Sequence, residues 1–143
     1  MKLRVLLLED DHLQRKDVQQ ALEKGLGAAV ETKTTESEFR RDFQEIASNP
    51  PDVAVLDVMV RWANPSRDMP AAPQEVTDNP EKAGIRCAQE LRDDARTKAV
   101  KVILYSVLGN EDMGDEPLPD DVIGVVKETD FANLLEKVKE IAT

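Results

Sequence analysis

The chain has 143 residues, 29 acidic against 19 basic side chains for a formal charge of −10, one histidine and one cysteine. That length suits a single domain able to bury its own core, one cysteine excludes a disulfide scaffold or a Cys-rich zinc site, and an acidic balance argues against sequence-independent binding to phosphate backbones. No apolar run approaches the roughly 20 residues of a membrane span, so the expectation is one cytoplasmic domain over residues 1–143 with no membrane or nucleic-acid partner, to which a divalent cation or a basic partner is better suited.

Five short apolar runs alternate with amphipathic helical stretches, the pattern of β-α-β units around a mostly parallel sheet, and the predicted fold class is α/β. The first run, residues 3–8, is almost continuous in Val and Leu, as befits a strand covered on both faces. A helix follows from about His12 to Lys24, with Val18, Ala21 and Leu22 inward and Gly25 as its stop. Residues 28–34 alternate as a half-exposed edge strand. Thr35 and Glu38 have capping-box spacing ahead of Phe39, Phe43, Ile46 and Ala47, which predicts one helix ending at Asn49-Pro50-Pro51. The third strand is read at residues 53–56. Asn79 and Pro80 predict the start of another helix, carrying Ala83, Cys87, Ala88 and Leu91 inward. Strands at residues 100–105 and 122–126 and a final helix with Phe131, Leu134, Leu135 and Val138 on one stripe complete the series.

Two stretches break the alternation. Residues 58–78 hold Pro65, Pro70 and Pro73 without a sustained period, a long loop where such connections usually need about 2 to 6 residues. Residues 109–121 hold Gly114, Pro117, Pro119 and six carboxylates where a helix is due, and that helix is expected to be short or missing.

In open parallel sheets ligands bind beyond the carboxyl ends of the strands. Glu9 and Asp10 follow the first strand, Asp57 the third, Ser106 the fourth and Lys127 the fifth. Three converging carboxylates repel one another, and a hard cation with oxygen ligands such as Mg²⁺ resolves the repulsion. With a hydroxyl and an ammonium added, the set can handle a phosphoryl group: a carboxylate nucleophile, a metal on the phosphoryl oxygens, and Ser and Lys on the remainder.

Leu6-Leu7-Leu8-Glu9-Asp10-Asp11, Val53-Ala54-Val55-Leu56-Asp57-Val58-Met59, Leu104-Tyr105-Ser106 and Val125-Val126-Lys127 resemble, in order, the four signatures of response-regulator receiver domains of two-component signalling. The resemblance implies a flavodoxin-like, doubly wound five-stranded parallel sheet of order 2-1-3-4-5, enlarged by an insertion at about residues 60–78. It implies Asp57 as the phosphoacceptor, taking a phosphoryl group from a sensor histidine kinase or phosphotransfer protein. Glu9, Asp10, Asp57 and the backbone carbonyl of Met59 would hold Mg²⁺, with Mn²⁺ as a substitute. Ser106 and Lys127 would bind the phosphate, Lys127 sharing the catalysis with Asp57. The consequence would be control of a downstream protein or onward phosphotransfer, without enzymatic turnover beyond the receiver's own phosphorylation and dephosphorylation.

Several positions depart from the family. Glu128 stands where the family usually has Pro, so a trans bond is expected after Lys127. Gly124 stands at the position of the switch aromatic. These departures keep a phosphorylation-independent, receiver-like binding module as the alternative. A dehalogenase-like phosphatase would need a second Asp where Met59 stands, so Asp57 lacks a general acid. Asp11 reads as a helix N-cap, His12 as a solvated first-turn residue, Cys87 as a small core side chain, and Trp62 as a cover for the loop base or part of a partner surface. The insertion is expected either to cover Asp57 in part or to form such a surface.

Overall fold

The computed structural model describes residues 2–107 and 118–142. Five strands, β1 (Arg4–Leu8), β2 (Ala29–Lys33), β3 (Val53–Asp57), β4 (Lys101–Ser106) and β5 (Val122–Val126), form one sheet in the order β2-β1-β3-β4-β5. Every pairing is parallel, with Leu8 beside Leu56, Asp57 beside Tyr105, and Ser106 beside Val126. This register brings the carboxyl ends of β1, β3, β4 and β5 to one edge, the placement on which the site depends.

The helices are α1 (His12–Leu26), α2 (Glu36–Arg41), α3 (Phe43–Ser48), α4 (Gln74–Asp78), α5 (Ala83–Asp93) and α6 (Ala132–Ala142), with a 3₁₀ turn at Pro80–Lys82. Because side chains alternate along a strand, β1 sends Leu6 and Leu8 to one face and Val5 and Leu7 to the other. The first face packs Phe39, Phe43, Ile46, Cys87 and Leu91 from α2, α3 and α5. The second packs Val18 and Leu22 of α1 and Leu134 and Val138 of α6. Both faces of the central strands are thus dry, which is why residues 53–56 read as an unbroken apolar run. No helix among the described residues is long and apolar enough to cross a membrane.

Element ends differ from expectation for local reasons. Helix α1 continues past Gly25 to Leu26 and stops at Gly27, whose φ of 64° supplies the left-handed cap and whose N–H donates to the Leu22 carbonyl. Gly25 is instead a packing position, since a methyl group there would come within 2.8 Å of a Leu135 methyl. The helix expected across residues 35–49 turns at Asp42, although amide bonds from Asp42 to Glu38 and from Ile46 to Asp42 keep the ladder nearly continuous. Lys33 and Arg41 both hold the Asp42 carboxylate at that joint. Asn79-Pro80 opens the 3₁₀ turn, and α5 proper begins at Ala83.

The long connection after β3 is less irregular than its sequence. It contains α4, too short to show a period, which anchors through buried Val76. Val60 and Ala63 are also buried, and the Trp62 Nε1 donates to the Pro70 carbonyl at 2.8 Å. Of residues 109–121, where the helix is expected to be short or missing, 109–117 lie outside the described residues and 118–121 form no helix.

Candidate functional site

Glu9 leaves β1 with its amide still donating to the Lys33 carbonyl at 3.0 Å, so the sheet's own pairing fixes its position. It is 3 % exposed. One carboxylate oxygen accepts the Asp11 amide and the other accepts Lys127 Nζ at 2.8 Å. Asp10 follows, half-buried, and Asp11 caps α1 by accepting the Gln14 amide. Asp57 ends β3, and its carboxylate lies 3.3 Å from Lys127 Nζ. Oxygens of Glu9, Asp10 and Asp57 all fall within 4.8 Å of one another.

The Lys127 backbone is set by its amide, which donates to the Ser106 carbonyl at 2.7 Å, and by Asn133, whose side chain donates to the neighbouring Val126 carbonyl. Its ammonium also lies 5.6 Å from the centre of the Tyr105 ring. The Lys127–Glu128 peptide is trans, as the missing proline predicts. Ser106 is buried at the end of β4, and Gly124 is exposed on β5.

Burial, then the charge of Glu9, pushes the Asp57 carboxyl up to about 7 against the opposing pull of Lys127. Burial alone would lower Lys127, but the carboxylates of Asp57 and Glu9 outweigh it and hold the ammonium above its ordinary value. One lysine therefore serves both Glu9 and Asp57. All-oxygen, all-anionic donors on three different carboxylates suit a hard divalent cation, so Mg²⁺ fits the residues present. Met59 sits in the bend beyond Asp57 with an exposed side chain.

Two features at the site had no sequence signal strong enough to single them out. Arg61, four residues beyond Asp57, donates its backbone amide to Asp10 Oδ2 at 3.0 Å and its Nε to the same oxygen at 3.3 Å. Gly84 brings α5 against the strand exit: its amide donates to the Val58 carbonyl at 2.8 Å, and a methyl there would overlap the Asp57 carbonyl oxygen. Neither residue lies within the four signature segments.

The insertion packs against α2 and α5. Glu36 and Ser37 donate their amides to the Arg61 and Trp62 carbonyls at 3.0 and 2.8 Å. The Glu36 carboxylate, fully buried, receives two bonds from Arg86 at 2.8 Å and one from Arg40 at 3.0 Å. Arg40 also reaches Glu75 and lies over the Trp62 ring, while Arg86 donates to the Glu75 and Asn79 carbonyls. Cys87 is wholly buried, and burial pushes its thiol well up, as expected of a core residue. Exposed His12 lies in the first turn of α1, its ring Nδ1 3.2 Å from an Arg15 guanidinium nitrogen.

No protein-family model and no curated protein matches the sequence. Solved structures do match it along nearly its whole length. The response regulator TrrA of Thermotoga maritima, solved in complex with Mg²⁺ and beryllofluoride, is 25 % identical with a TM-score of 0.68 over 99 % of both chains. A signal receiver domain of a Clostridium thermocellum two-component histidine kinase is 15 % identical, with a TM-score of 0.71 over 100 % of this chain and 99 % of that one. A sensor histidine kinase receiver domain of Pseudomonas aeruginosa, with a magnesium ion in its active-site cleft, is 15 % identical with a TM-score of 0.68 over 99 % of this chain and 98 % of that one. The chain has the fold of response-regulator receiver domains.

Proposed function

We propose that the chain is a phosphorylation-controlled signalling receiver in which Asp57 accepts a phosphoryl group from a phosphohistidine of a sensor kinase or phosphotransfer protein. The observation that carries this reading is the shared ammonium: Lys127 Nζ lies 2.8 Å from Glu9 and 3.3 Å from Asp57, beside Asp10, at the carboxyl edge of a parallel sheet. An Asp57 oxygen attacks phosphorus, an acyl phosphate O–P bond forms, and the donor's N–P bond breaks with its electron pair returning to the imidazole. Glu9, Asp10 and Asp57 would hold Mg²⁺, with the Met59 carbonyl completing the protein ligands, and the ion supplies charge neutralisation at the transferring phosphoryl group. Lys127 is already placed to follow the charge from carboxylate to phosphoryl oxygen, and Ser106 offers a hydroxyl from the adjacent strand. Metal and beryllofluoride complexes among the structural neighbours support the same chemistry.

Met59 provides no carboxyl to act as acid and base for ester hydrolysis, so turnover of external phosphate esters is expected to be negligible. The added charge at Asp57 would be read by a downstream protein or passed onward. The test is incubation with Mg²⁺ and acetyl phosphate, followed by intact-mass measurement. A single phosphoryl adduct on the wild type and none on Asp57→Ala is the expected result. Absence of an adduct on both would favour a binding module that works without phosphorylation.

A further inference from the structure

Arg61 makes two different kinds of contact with Asp10. Its main-chain amide orients Oδ2 at 3.0 Å, while its guanidinium places positive charge on the same oxygen at 3.3 Å and reaches the Asp10 carbonyl at 3.4 Å. The main chain is fixed from behind, because the Arg61 carbonyl accepts the Glu36 amide, and Glu36 is anchored by Arg86. The side chain is not fixed in that way. It is 55 % exposed and, among the described residues, bonds Asp10 alone, whose side chain is 19 % exposed. An arm with one internal anion and an open path to solvent is free to leave that anion when a stronger cation arrives.

We propose that the Arg61 guanidinium is a displaceable counter-ion for Asp10 that sets the concentration of divalent cation at which the site fills. The inference rests on the metal-dependent receiver reading above. A cation entering the carboxylate cluster has to overcome repulsion from the guanidinium or displace it. The Arg61 amide meanwhile keeps Asp10 aimed at the cluster in either state. Orientation and neutralisation therefore come from one residue through separable atoms, and a side-chain substitution removes only the second.

The test is calorimetric titration of Mg²⁺ into the full chain at low ionic strength, for wild type, Arg61→Gln, Arg61→Lys and Asp10→Asn. Arg61→Gln should bind Mg²⁺ about three- to tenfold more tightly than wild type, a Coulombic effect discounted for exposure, and the gain should shrink in 0.5 M salt, about three times the physiological ionic strength. Arg61→Lys, which keeps the charge, should stay close to wild type. In the wild type, Mg²⁺ should also move the Arg61 Nε–H resonance and speed its hydrogen exchange. Mg²⁺ binding by wild type with equal or weaker binding by Arg61→Gln, or an unmoved Nε–H signal at saturation, overturns the role of Arg61 and leaves the receiver reading intact. Binding by none of the variants in millimolar Mg²⁺ overturns both. Thermal melts of each variant show that the comparison is among folded proteins.

Discussion

Two carboxylate sites share this small domain and differ in how their anions are held. In the clasp between α2 and α5, fully buried Glu36 is met by two arginines, with three bonds of 3.0 Å or less. At the sheet edge, Glu9, Asp10 and Asp57 share one half-buried lysine and one half-exposed arginine. The clasp has its anion saturated and joins elements 50 residues apart in sequence, which describes a structural ion pair. The edge site sets three carboxylates against two cationic side chains, the imbalance on which the proposed metal site rests. Burial alone does not distinguish the two, whereas the bonding of each carboxylate by cations does.

The comparison breaks most severely at Glu36. Replacing it with Gln leaves Arg86 and Arg40 without their buried anion and should cost about 3–5 kcal/mol, a fall in melting temperature of roughly 6–20 °C; a loss below about 1 kcal/mol in urea melts would reduce the clasp to a surface-grade ion pair. Gly84→Ala is next. Its methyl cannot fit against the Asp57 carbonyl, so a backbone shift costing about 1–3 kcal/mol is expected. It should also slow acetyl phosphate labelling at temperatures where the variant is fully folded, an effect the clasp variant should not share.

At the edge site, Lys127→Ala should lower stability by about 1.5 kcal/mol in chelator, and millimolar Mg²⁺ should recover more of that loss than it adds to the wild type. Equal metal-induced shifts in the two melts would mean that Lys127 and the cation do not share a task. The smallest effect concerns Asp42, which Arg41 and Lys33 hold well below the usual carboxylate range. A depressed carboxyl contributes stability that is complete above its unfolded pKa near 4 and is lost as pH falls through its lower folded value. Asp42→Asn should therefore cost about 0.5–1 kcal/mol at pH 7 and less than half of that at pH 2. An equal cost at both pH values in urea melts would show that the joint is held by packing instead.

The edge site was legible because its residues sit one step beyond apolar runs, and the parallel register carries sequence position directly into spatial position. Glu9, Asp10, Asp57, Ser106 and Lys127 converge for that reason. Core residues such as Phe39, Phe43, Ile46 and Leu91 were equally readable from their helical spacing. The clasp was not, because Glu36 and Arg86 look like ordinary charges on separate helices until α2 and α5 are packed side by side. Arg61 was hidden for a related reason: its partner is 51 residues away, and no local period announces such a contact. The α4 turn escaped because five residues starting after a proline, with no side-chain cap, give neither a period nor a start signal. Gly25 and Gly27 are equally plausible stops in the sequence, and the left-handed φ at Gly27 with Leu135 packed against Gly25 separates them.

The bond between Lys127 and Glu9 joins residues 118 apart in a chain of 143. Contacts of such separation close late, after the intervening chain has lost most of its freedom. During synthesis, Asp57 and its neighbouring acids are made long before the strand that delivers their ammonium. A chain still lacking β5 can have most of its sheet in place without the ammonium on which the proposed acceptor site depends, so acetyl phosphate labelling is expected to begin only when that strand has docked.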